Sequence, residues 1–164
     1  MISSWVVRRL DPSDAALLRE LRLRALAEEP TAFGSTYDRE AAFDDELWVS
    51  RLQPQANPHF VAATDDGVVV GLAAGIRSDD GNAELVAMWV APEARGSGAA
   101  DALVEAVLAW ARSASFPGLR LHVTEGNERA ERLYERHGFR RTGAASTRER
   151  DGSIEFELEL SFPR

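Results

Sequence analysis

Two stretches of this chain hold residue types whose spacing suits chemistry. The first, Val90 to Leu103, reads V-A-P-E-A-R-G-S-G-A-A-D-A-L. After Arg95, the run Gly96, Ser97, Gly98, Ala99 and Ala100 has almost no side-chain bulk, so a ligand can come close to the main chain. An apolar run, Leu85 to Val90, leads into it, and a helical pattern follows. A strand–turn–helix of this kind leaves several N–H groups free at the start of the helix. With the positive end of the helix dipole, they favour a phosphate. The same turn also reads as a plain tight connection with no ligand. It is not a nucleotide P-loop, because Gly98 is followed by Ala99 and Ala100 instead of Lys and Ser or Thr. Nor is it a dinucleotide fingerprint, because Asp101 stands where a third glycine belongs and the turn comes late in the chain.

The second stretch runs from Asn127 to Phe139. Asn127 and Tyr134 lie seven residues apart on one expected helix. Seven residues make almost two turns, so both project from one face, roughly 10 Å apart along the axis. Each also has a structural reading, Asn127 as a helix cap and Tyr134 as a core aromatic. Among the other titratable groups, His122 falls in a strand and His137 at a helix end, both read as structural, and His59 carries no signal.

The elements around these residues follow from periodicity and punctuation. Ser4 to Leu10 reads as a strand. Asp11-Pro12 opens a helix, with Leu17, Leu18, Leu21 and Ala25 at helical spacing, that runs to about Ala27. Thr31 to Tyr37 reads as a loop, either one wall of an acceptor pocket or a segment pinned to the core by Phe33 and Tyr37. A short helix spans about Asp44 to Leu52. Phe60 to Thr64 and Val68 to Ile76 are β-branched runs joined by Asp65-Asp66-Gly67, a hairpin signal. Ala83 to Val90 is the next strand. The spacing then predicts a helix over Ala99 to Arg112, a strand over Leu119 to Thr124, a helix over Asn127 to His137 stopped by Gly138, and a strand starting at Phe139. Ile154, Phe156, Leu158 and Leu160 alternate with glutamates, as in a strand with one wet face. Arg148 and Arg150 are expected across from those glutamates.

A length of 164 residues predicts one domain over 1–164, and an apolar fraction of 45% is ordinary for a globular protein. The chain has no cysteine, which excludes disulfides and thiolate chemistry and fits a reducing cytoplasm. Met1 to Leu10 does not read as a signal peptide, and no apolar run reaches membrane-spanning length. A net charge of −8 argues against nucleic-acid binding. An anionic ligand would need local positive charge, and Arg95, Arg129, Arg132 and Arg136 lie near the two stretches. The acidic excess also suits a cationic acceptor such as an amine, or solubility alone.

The whole layout resembles the GCN5-related N-acetyltransferase (GNAT) superfamily. Arg95, Gly98 and Ala100 fit its Q/R-x-x-G-x-G/A motif. Asn127, Ala130, Leu133, Tyr134, Gly138 and Phe139 fit its N-x-x-A-x-x-L-Y-x-x-x-G-F motif. The resemblance implies a mixed α/β fold, with a mostly antiparallel sheet of about seven strands flanked by about four helices. It implies acetyl-CoA as cosubstrate, no metal, direct transfer of acetyl to a primary amine, and a homodimer as in many related proteins. The diphosphate would sit on the backbone of Gly96, Ser97, Gly98, Ala99 and Ala100, with Arg95 opening the loop. The pantetheine arm would lie along Met88, Trp89 and Val90 and against Asn127 and Ala130. Tyr134 would attend the leaving thiolate. Glu84, on the same nominal strand face as Met88, would serve as base, directly or through water, or be only an exposed strand-end residue. A non-catalytic acyl-CoA-binding module of the same fold is the alternative. Ala99, in place of a larger aliphatic, and the negative charge of Asp101 depart from the family pattern.

Overall fold

The computed structural model describes residues 5–163. Its centre is a seven-stranded sheet in the order β1-β2-β3-β4-β5-β7-β6. The strands are β1 (Val6–Arg9), β2 (His59–Ala63), β3 (Val69–Arg77), β4 (Ala83–Val90), β5 (Gly118–Thr124), β6 (Arg140–Thr147) and β7 (Ile154–Ser161). Five helices accompany them: α1 (Ala15–Glu28), α2 (Tyr37–Ala41), α3 (Asp45–Ser50), α4 (Ala99–Ser113) and α5 (Glu128–Arg136). This is the mixed, mostly antiparallel architecture that the motifs imply. The first expected strand included Ser4, which lies outside the described residues.

Strand alternation sends successive side chains to opposite faces, and each face finds a helical layer. Ala73, Leu85, Leu121 and Leu158 join Leu103, Val107 and Leu108 of α4 in one core. Val61, Leu72 and Trp89 join Leu18, Leu26 and Trp48 of α1 and α3 in the other. Glycines let α4 press close to the sheet: a methyl group on Gly71 would come within 2.9 Å of Leu103 Cδ1.

Every neighbouring pair of strands is antiparallel except β4 and β5. That parallel pair is joined at one position only, Glu84 opposite Arg120. Beyond it the strands part, and the sheet opens as a wedge. The β5-facing edge of β4 from Leu85 to Val90 therefore has no strand partner.

Three expectations are corrected. Tyr37, expected in the loop, starts α2, which Thr36 caps by accepting a hydrogen bond from the Arg39 N–H at 3.2 Å. Arg150 pairs with no strand glutamate. It donates to the Phe33 carbonyl at 2.8 Å, whereas Arg148 does reach Glu155. The apolar row of β7 does face the core, with Leu158 buried and Phe156 and Leu160 packed against it, and β6 is exposed along its length. The phenol of Tyr37 does not pin its segment either. The residue is 45% exposed, while Phe33 is buried.

Candidate active site

A cavity of about 380 Å³ fills the wedge. Leu85 to Val90 of β4 form one wall and His122 to Thr124 of β5 the other. Gly96, Gly98 and Ala100 of the turn, Ala32 and Phe33, and Asn127 with Ala130, Leu133 and Tyr134 of α5 complete the lining. The two stretches that spacing alone singled out thus converge on one space.

The turn fits a diphosphate by its backbone. Gly96 has φ +77° and Gly98 φ +95°, conformations that glycine adopts without a Cβ penalty. No atom lies within 4 Å of where a Gly96 side chain would begin. Among the described residues, the N–H groups of Gly96, Gly98, Ala100 and Asp101 have no acceptor, and no side chain caps α4. Ser97 and Ala99 depart from the expected donor set. The Ser97 N–H donates to the Ala94 carbonyl at 3.3 Å, and the Ala99 N–H leans on Ser97 Oγ at 3.4 Å. Neither residue lines the cavity. Trp5 closes the outside of the turn by donating from Nε1 to the Ser97 carbonyl at 3.1 Å.

Charge at the mouth is balanced locally. Arg95 folds back, donating to the Val90 carbonyl at 3.2 Å and to Glu29 at 3.0 Å, and Arg129 reaches the same Glu29 oxygen at 3.1 Å. Arg132 is directed elsewhere, toward Glu128 at 3.7 Å. Asp101 lines the cavity but is engaged by Arg136 at 3.1 Å and His137 at 2.8 Å. Burial would raise its pKa, but the bonds from His137 and Arg136 outweigh burial and hold the carboxyl below its usual range. Its charge is thus met by the Arg136 guanidinium and by a hydrogen bond with His137.

Asn127 caps α5, its Oδ1 accepting from the Ala130 N–H at 3.2 Å, and also lines the cavity. Tyr134 is buried, edge-on to Phe139 at 5.9 Å between ring centres. Its hydroxyl makes no hydrogen bond among the described residues. It is nonetheless not one of the sealed, unpartnered atoms, which are Arg22 Nη1, Trp48 Nε1 and Trp89 Nε1. The phenol oxygen is therefore open to the cavity that Tyr134 lines. Burial pushes its pKa upward, so it stays protonated.

The middle of β4 carries a feature that spacing did not show. Leu72 pairs with Trp89 and Ala74 with Val86, so Ala87 and Met88 both stand opposite Ala73. Ala87 takes φ 60°, and the bulge breaks the alternation of the strand. Met88 packs on the α4 side, the side of Leu85. Glu84, one residue before Leu85, faces the opposite layer. The shared face expected for Glu84 and Met88 does not exist, and Glu84 does not line the cavity.

Phe33 falls in the segment read either as one wall of an acceptor pocket or as pinned to the core, whereas spacing missed Glu29, the C-cap of α1, and the β5 residues His122 to Thr124 as lining. They come from segments with no motif and meet the site only through the topology of the sheet.

The sequence of residues 21–139 matches the model of the acetyltransferase (GNAT) family, which is most of the chain. The chain belongs to that family. An uncharacterised N-acetyltransferase of Mycobacterium tuberculosis is 39% identical over 88 residues, covering 54% of this chain and 56% of its own length. The human N-acetylaspartate synthetase is 35% identical over 94 residues, 57% of this chain and 31% of that protein. The chain thus spans about half or less of the length of these relatives. An acetyltransferase of Salmonella typhimurium, solved with its cofactor acetyl-CoA, superposes with a TM-score of 0.79 at 20% identity, over 99% of this chain and 96% of that one. A GNAT-family acetyltransferase of Streptococcus pneumoniae gives 0.81 at 19% identity, over 98% of this chain and 100% of that one.

Proposed function

We propose that the protein transfers an acetyl group from acetyl-CoA directly to a primary amine. The observation that carries this reading is the wedge between β4 and β5, with the unpaired N–H groups of the turn and the open phenol of Tyr134 in its lining. Bound acetyl-CoA would supply the acetyl group as an activated thioester.

The residues of the chain divide the remaining work. The N–H groups of Gly96, Gly98, Ala100 and Asp101 would bind the diphosphate, helped by the dipole of α4. The free edge of β4 at Met88, Trp89 and Val90 would hold the pantetheine arm as an added strand. The Asn127 amide nitrogen, free of the cap bond that Oδ1 makes, would bind the arm from α5. A main-chain N–H at the bulge would polarise the thioester carbonyl. Tyr134 would donate its proton to the departing thiolate. Glu84 lies outside the cavity, so a role as base would run through water.

Release of free thiol from acetyl-CoA, measured across a panel of amines, tests the reading. At least one primary amine should raise thiol release well above the amine-free rate. A flat response from a sample that melts cooperatively would overturn it, and calorimetric binding of acetyl-CoA without turnover would favour a sensor. Replacing Glu84 with Gln should lower the rate most at low pH, because at high pH the amine arrives neutral. An unchanged pH profile removes Glu84 from the reaction.

A further inference from the structure

A second cavity, of about 580 Å³, lies on the other side of β4, under α1, α2 and α3. Val86 and Ala87 line both cavities, so the two spaces adjoin at the bulge. We propose that this second cavity holds the acceptor and selects an amine that carries a carboxylate, a free amino acid. This rests on the acetyl-transfer reading above.

Charge makes the case. Arg22, Arg39 and Arg51 line the cavity against a single carboxylate, Glu40. Glu40 is 2% exposed and takes the Arg22 fork, Nε to Oε1 at 3.0 Å and Nη2 to Oε2 at 3.0 Å. Arg51 adds a longer contact to the same carboxylate at 3.4 Å. One carboxylate cannot neutralise three guanidinium groups. Arg22 Nη1 is buried with no hydrogen-bond partner, and Arg39 has no carboxylate within ion-pair distance among the described residues. A protein of net charge −8 has built a positive pocket here.

His59, also in the lining, reports the same potential. Burial first, and then the charges of Arg51, Arg22 and Arg9, lower its pKa to about 4. The imidazole is therefore neutral at neutral pH, and the positive charge of the pocket is that of its arginines. A guanidinium binds a carboxylate through paired, charge-assisted hydrogen bonds, which an amide or a methyl group cannot replace. Leu18, Leu72 and Ile76 supply apolar wall for a side chain. The whole-chain charge would have suggested a cationic acceptor. The pocket reverses that sign where the acceptor would sit.

Two matched series test the proposal by thiol release. One is L-leucine, L-leucinamide and isoamylamine; the other is L-glutamate and its α-carboxamide. Within each series the member with a free α-carboxylate should show kcat/KM at least about tenfold above the rest. Arg39→Gln and Arg51→Gln should each raise KM for that substrate by about tenfold, with KM for acetyl-CoA unchanged. Arg39 is exposed, so its variant keeps the core. Equal rates across a series overturn the selectivity and leave acetyl transfer standing. If no amine supports turnover, acetyl transfer falls, and calorimetry then decides the pocket. Binding of leucine or glutamate that exceeds that of the amides, and weakens in Arg39→Gln, sustains the proposal. Equal or absent binding ends it.

Discussion

A phenol that gives up a proton must keep it until the leaving group forms. Tyr134 meets that condition because burial raises its pKa while its oxygen stays open to the wedge. Tyr134→Phe retains the ring and its contact with Phe139, so the change isolates the hydroxyl. We expect kcat to fall by about a hundredfold, the scale of one positioned acid, with KM for acetyl-CoA within about twofold. Steady-state kinetics decides, and unaltered kcat would leave Tyr134 a packing residue. His59 makes a prediction about stability. The unfolded chain binds its proton near pH 6.5, while the folded imidazole waits until about 4. The unfolded state therefore holds more protons between these values, and stability falls as pH drops through that window, by up to about 1.4 kcal/mol per pH unit. Above the window the contribution is constant. Urea unfolding at about pH 7 and about pH 5 should show a smaller loss in His59→Gln than in the parent. Equal losses would mean that His59 titrates in the folded protein as it does when unfolded.

Strand β4 borders both cavities, and its geometry depends on Ala87. An L-residue held at φ 60° carries strain of about 1–2 kcal/mol, which glycine largely avoids. Ala87→Gly should therefore stabilise the protein by about 1 kcal/mol, and Ala87→Val should destabilise it by more than that. Denaturant midpoints of the two variants should move in opposite directions; a shift of both the same way would argue against strain at the bulge. The limits of β4 were legible, because an apolar run of strand length ends at a turn. The bulge was not, because a bulge built on alanine has no signature residue, and so Glu84 was assigned to the wrong face. Asn127 and Tyr134 were legible because helical spacing alone puts them on one face. Helix α2 was missed because five residues are too few to show a period. The charged pocket was missed for a different reason. Arg22, Glu40, Arg51 and His59 come from four separate segments with no spacing in common, and only packing brings them together.

The molecule as a whole is a sheet left open on purpose at one seam. Five antiparallel ladders hold the seven strands to their neighbours along most of their length, yet β4 and β5 share one pair. The cost of that opening is a run of β4 edge without a strand partner and a helix α4 whose Ala100 and Asp101 N–H groups lack acceptors among the described residues. Both can be satisfied by one ligand that places an extended chain along the strand and a diphosphate on the turn. Such a ligand touches β4, α4, β5 and α5, so it ties together segments that are otherwise joined chiefly through the core. Binding to the folded state alone adds about 2.7 kcal/mol at a ligand concentration one hundred times Kd. For a chain of this size that is a rise in melting temperature of roughly 5–10 °C. CoA should produce most of the rise seen with acetyl-CoA, because the turn and the strand edge bind parts that the two share. Adenosine lacks the diphosphate and the arm, and should produce almost none. Scanning calorimetry with the three compounds checks this, and a rise with adenosine equal to that with CoA would show that neither the turn nor the open strand edge is what holds the ligand.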